Sequence, residues 1–189
     1  MITTMLLSGC TVAVAGQAIP AEGAGTQISK ASTDALPFTP RFGGRTNERN
    51  DGTTFEPCAA YSDEEMRALG ADPRTLADAA ISESPNYRGC HWQTSDGAGR
   101  YSQIVGNERS TEAYKAKQSY RPWQADRVVD GRVVIVSTED GGCFASFMSQ
   151  RAMVHSSFRI GSAGKPTVDL VTECDKAIEW ATLAISKAP

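Results

Sequence analysis

GGCFASFMSQRAMVHSSFRI, residues 141–160, alternates apolar and small polar side chains on either side of a polar break at Gln150–Arg151. A period of two sends successive side chains to opposite faces of a strand, so each half reads as a strand and the break as a turn. Cys143, Ala145 and Phe147 share one face of the first half. In the second half Met153, His155 and Ser157 share one face, and Val154, Ser156 and Phe158 the other. The pattern alone does not choose the inner face of this second strand.

Outward from this hairpin the signals stay short and mixed. YRGCHWQT and GRYSQIVG are strand-like runs joined through Ser95, Asp96 and Gly97, which predicts a second hairpin. WQADRVV and RVVIVST flank Asp130–Gly131 and form a strand pair, or one strand with a tight turn. Ser62 with Glu65 three residues on is a capping box, and Gly70 stops the helix that it opens. Asp72 and Pro73 start a short helix over 73–81 that turns Leu76 and Ala80 inward. A polar helix runs from Ser110 or Thr111 to Lys117. The last helix is capped by Thr172, carries Cys174, and shows an apolar stripe of Ala177, Ile178, Ala181, Leu183 and Ile185. The order ααββαβββα has no alternation of strands with long helices. It predicts an α+β fold: an antiparallel sheet of about five strands with helices packed on one side.

The chain has 189 residues and a formal net charge of −3. That balance argues against a nucleic-acid partner, and no run of 18 apolar residues is present to span a membrane. Residues 1–9 are apolar, lack Lys and Arg, and resemble the end of a signal peptide, with Leu7-Ser8-Gly9 leading into Cys10. The basic start and most of the apolar core of such a signal are missing, as if the true start lay upstream. Residues 11–52 are rich in Gly, Pro, Ser, Thr and Ala without a sustained period and read as a flexible tether. The folded domain is expected over 53–189.

Four of the five cysteines, Cys58, Cys90, Cys143 and Cys174, fall in that domain. No C-x-x-C pair exists, so a zinc site is disfavoured. Four cysteines allow three pairings. Local economy favours Cys58–Cys90 with Cys143–Cys174, each pinning a helix to a strand. A closed loop of some 30 residues contributes about 3–4 kcal/mol by the chain-entropy argument. Disulfides imply a compartment outside the cytosol.

No pattern of catalytic residues stands out. His91 and His155 both lie on expected strands; a general base would need a carboxylate such as Asp96 or Asp130 beside one of them. There is no G-x-S-x-G elbow, no metal spacing and no cofactor motif. Asp63, Glu64 and Glu65 are first-turn helix charges. Residues 139–142, EDGG, supply too few oxygens for calcium. The stretch SYRPW at 119–123 mixes aromatic and basic side chains, and Tyr101, Tyr120, Arg121 and Trp123 form a candidate binding surface.

FEPC at 55–58, the YSDEEMRALG helix, GCHW at 89–92, VDG at 129–131, GCFASF at 142–147 and ECDKAIEWA at 173–181 occur in one order over residues 53–187. Together with LSGC they resemble the actinobacterial lipoproteins carrying domain of unknown function 3558. The resemblance implies export, a diacylglycerol (and palmitate) anchor on Cys10, and a place on the outer face of the cell membrane. It brings no catalytic residue, metal or cofactor. The expectation is a non-enzymatic envelope protein, membrane-bound through its lipid, that binds a protein, glycan or lipid and no nucleic acid. The alternative is an envelope hydrolase using His91 or His155.

Overall fold

The computed structural model describes residues 36–139, 142–161 and 169–189. The 141–160 stretch becomes two strands, β6 (Gly142–Ser149) and β7 (Ala152–Ile160), turned at Gln150, whose φ is 55°. Five more strands join them: β1 (Ala77–Asp78), β2 (Arg88–Gln93), β3 (Gly99–Gly106), β4 (Arg127–Val129) and β5 (Arg132–Glu139). All neighbours are antiparallel, in the order β1-β2-β3-β7-β6-β5-β4, so β7 is the central strand.

The sheet therefore has seven strands among the described residues, and the expectation of about five is corrected. Part of the difference lies in 73–81, which is not a helix. Pro73–Thr75 makes one 3₁₀ turn, and the chain then straightens so that Ala77 and Asp78 pair with His91 and Cys90. The free edge of β2 offers backbone partners that a two-turn helix with few apolar contacts does not match; the Ala79 N–H, for example, reaches the Gly89 carbonyl. Asp130 (φ 48°) and Gly131 (φ 77°) make the tight turn that separates β4 from β5.

Three α-helices are described: α1 (Asp63–Ala68), α2 (Thr111–Lys117) and α3 (Leu170–Lys187). In α1 the Ser62 and Glu65 side chains exchange hydrogen bonds with each other's backbone, as the capping box requires. Helix α3 begins earlier than the sequence suggested: Asp169 is its cap, accepting from both the amide and the hydroxyl of Thr172. It lays Ala177, Trp180, Ala181 and Ala184, all fully buried, against the sheet face that carries Val134, Val136, Ala145, Phe147 and Val154. The inner side of β7 is thus the Val154–Ser156–Phe158 side. Trp180 meets Trp92 at 5.4 Å and Tyr101 at 5.3 Å, both edge-on, an arrangement that favours aromatic pairs.

The helices do not share one side. Tyr114 of α2 packs on Ile135, Met153 and Met148, which point away from α3. Helix α2 covers only part of this second face. The rest of it, with Ile104, Phe144, Ser157 and Arg159, has no helix over it among the described residues.

Two disulfides, Cys58–Cys90 and Cys143–Cys174, join α1's approach to β2 and α3 to β6. All four cysteines are buried. Residues 36–52, assigned to the tether from composition, pack on the domain from Leu36 and Phe38 onwards. Arg45 is 2% exposed and pairs with Glu56 and Asp78. Its Nη2 also reaches the Cys58 sulfur, at 2.7 Å. Arg88, fully buried, pairs with Glu56 and donates to the carbonyls of Asn50, Thr53 and Phe55. These bonds fasten a segment of low hydrophobicity that apolar burial alone would hold weakly.

Candidate functional site

The second face of the sheet carries a cleft. Its floor is Ile104 of β3, Phe144 of β6 and His155 of β7, brought together by strand register: Ile104 lies opposite His155, and Phe144 opposite Ser157. One wall is α2 and the turn after it, through Tyr114, Lys117, Gln118 and Arg121; the other is Glu48–Asn50 with Asn86 and Tyr87. The cleft encloses about 700 Å³, in the range of small-molecule sites. A neighbouring hollow of about 870 Å³ shares Glu48, Asn107, Glu108 and Lys117 with it.

Local chemistry sets the wall. The Ser110 hydroxyl caps α2 by accepting the Ala113 N–H, which fixes where Tyr114 projects. The Tyr114 ring lies 4.8 Å from the imidazole of His155 and edge-on to Trp123 at 6.1 Å. Arg121 sits over the Phe144 ring at 5.0 Å, ion-pairs with Glu139 at 2.9 Å and donates to the Tyr114 hydroxyl at 3.3 Å. Lys117 is paired with Glu108. The result is a mixed surface, with aromatic rings and an aliphatic floor ringed by charged groups that are largely paired.

His155 has a hydrogen-bond partner, Ser146 Oγ, 2.9 Å from its Nδ1. Burial, with Arg121 and Lys117 nearby, lowers its pKa to about 4, so it is neutral at neutral pH. Ser146 is 3% exposed and is not among the residues that line the cleft. No carboxylate among the described residues pairs with His155. Ser146 thus holds the imidazole from behind, and among the described residues no carboxylate stands beyond it as an orienting group.

His91 stands apart, half-buried on β2 opposite Ser102. Burial and the charge of Arg100, with a smaller push from Arg159, bring it to about 4 against the pull of Asp78. Asp96 is held in the β2–β3 turn by Thr94 and the Ala98 amide, and Asp130 lies in the β4–β5 turn, so neither approaches a histidine. Among the described residues no cluster of His, Cys, Asp or Glu could hold a metal ion.

The four residues of the sequence-derived binding surface do not converge. Tyr101 belongs to the other face: it is 1% exposed in the core and donates to the Leu69 carbonyl. Alternation decides this, since Tyr101 shares its face with Gln103 and Val105, which are also buried. Tyr120 is 69% exposed, Arg121 lines the cleft, and Trp123 packs beneath α2 with its indole N–H on the Gln118 carbonyl. Sequence reasoning missed Ile104, Phe144 and Tyr87. For Phe144 a signal existed: it alternates with Cys143 and Ala145, whose burial points it outward. Cys10 lies outside the described residues. No described helix is long and apolar enough to cross a membrane.

No curated protein and no solved structure matches the chain. A family model described as "Protein of unknown function (DUF3558)" matches residues 5–187, which takes in both disulfides, all seven strands and the cleft. Over nearly its whole length, therefore, this chain belongs to the DUF3558 family.

Proposed function

We propose that this protein is a non-enzymatic binding module of the cell envelope, held at the outer face of the membrane by a lipid on Cys10, with the cleft on the second sheet face as its ligand site. The observation that carries the binding half is the cleft itself. It joins ring faces (Tyr114, Phe144), an aliphatic floor and hydrogen-bonding groups around a neutral histidine. Such a surface recognises a glycan, a lipid or a segment of protein by stacking and hydrogen bonding. Two buried disulfides support a location outside the cytosol, and LSGC at 7–10 supplies the attachment point. Two acyl chains on one cysteine would anchor the domain stably, where a single chain binds marginally.

Gly106 offers the test of the cleft. It lines the cleft, and a Cβ there meets only His155 Nε2, at 3.8 Å. Gly106→Leu should fill the site and leave the fold intact. Native mass spectrometry of protein extracted from its own envelope should show a non-covalent adduct on the wild type that Gly106→Leu lacks. Equal adducts, or none on either, would refute the cleft as the ligand site. Denaturing the same samples reads the anchor: a diacylglyceryl addition on the peptide containing Cys10 is expected, and an unmodified Cys10 would refute it.

A further inference from the structure

Beyond the cleft, the second face holds a feature that no paired charge explains. Arg100 on β3 lies directly opposite Arg159 on β7, both on the sheet face opposite to the one that α3 covers. Like charges in directly opposed positions destabilise a sheet. No carboxylate among the described residues pairs with either guanidinium. Arg159 Nε is, in addition, buried without a hydrogen-bond partner. On the same face and one position further along lie Ser102, Ser157 and His91, in register across three strands. Ser157 donates to the Ser102 carbonyl at 3.2 Å. Two arginines, one of them with an orphaned N–H, thus concentrate positive potential beside a neutral imidazole, on a chain whose overall charge is −3.

We propose that Arg100 and Arg159 form an anion-binding site that takes a phosphate group, as free phosphate or as the headgroup of a phospholipid, separately from whatever occupies the cleft. Guanidinium groups suit this ligand because their planar N–H pairs match phosphate oxygens. A phosphate between them would remove the cross-strand repulsion and give Arg159 Nε its acceptor. The site would also be felt at His91, faced by Arg100, Arg159 and Asp78, with Asp78 itself engaged by Arg45. An anion there offsets the two arginines and makes the imidazolium easier to form.

The experiment is an NMR titration of the full chain, following the His91 ring, with inorganic phosphate as probe. Saturable shifts are expected, together with a His91 pKa raised from about 4. Arg100→Gln and Arg159→Gln should each weaken phosphate binding about tenfold or more, the loss of one charge-assisted contact. Arg121→Gln, in the cleft, should leave it unchanged. Both β-strand variants relieve repulsion, so their melting temperatures should not fall, which separates lost binding from lost folding. A second arm uses vesicles. Competition by phosphatidylglycerol vesicles that phosphatidylcholine vesicles do not match identifies the lipid headgroup as source; binding of free phosphate without such competition identifies a soluble anion. Absence of a saturable response, or undiminished phosphate binding by the Arg100→Gln/Arg159→Gln double variant, overturns the proposal.

Discussion

Arg45 grips Glu56 with both terminal nitrogens, Nη1 on Oε2 at 2.7 Å and Nη2 on Oε1 at 2.8 Å, while the same Nη2 lies 2.7 Å from the Cys58 sulfur. One side chain therefore ties the 36–52 segment to both the buried charge network and the first disulfide. Burial opposes ionisation of each partner, but the paired hydrogen bonds and charges win: Arg45 is held protonated and Glu56 is held below the usual carboxylate range. Removing one partner of such a pair leaves the other charged and unsatisfied. Arg45→Ala should cost about 3–5 kcal/mol in urea unfolding. Replacing both members by apolar residues should cost less than the single change, as a double-mutant cycle will read.

The same groups set the response to acid. Glu56 has a folded pKa below its unfolded value, so its contribution is present above the ordinary glutamate pKa and is lost as pH falls through the folded one. His91 and His155 are also depressed, from 6.5 to about 4. Between those values the unfolded chain binds protons that the folded chain refuses. Stability should be flat from pH 6.5 up to the range where tyrosines ionise, decline from 6.5 to about 4 through the histidines, and decline further below that as Glu56 protonates. Chemical denaturation at a series of pH values checks this; His155→Phe should reduce the first decline to the part that His91 contributes.

Each disulfide closes a loop of similar size, with partners separated by 32 and 31 residues. Cys143→Ala/Cys174→Ala should lose about 3–4 kcal/mol. Cys58→Ala/Cys90→Ala should lose at least as much, because Arg45 also forfeits its sulfur contact. Thermal unfolding of the two double variants under identical conditions makes the comparison.

Gly89, on β2, faces its neighbour too closely for any side chain. A Cβ there would run into the backbone carbonyl of Gln103 on β3. Gly89→Ala should destabilise by roughly 1–3 kcal/mol, the range for overpacking, or shift the β2–β3 register. Amide exchange along β3 would reveal the shift.

How far the sequence carried can be judged residue by residue. The 141–160 alternation located the β6–β7 hairpin because each strand is half-buried and its polar break sits at the turn. The Ser62–Glu65 capping box located α1 because the bonds that make it are local. Strand β1 was hard to see because it is two residues long and owes its existence to the open edge of β2, whereas the β4–β5 pair was one of two readings that the sequence offered around Asp130–Gly131. Tyr101 was misplaced since aromatic rings serve cores and surfaces equally, and only the partner strand shows which way it points. The cleft brings together side chains distant in sequence, from Glu48 to His155, so no local motif announces it.

The most direct test is hydrogen exchange comparing protein purified without denaturant from its own envelope with the same protein stripped of ligand by unfolding and refolding. The reading of the second face as the ligand face predicts that the as-isolated protein is protected at Ile104–Gly106, along Tyr114–Arg121 and around Phe144 and His155. Protection confined to α3 and the face beneath it, or no difference between the two preparations, would contradict it.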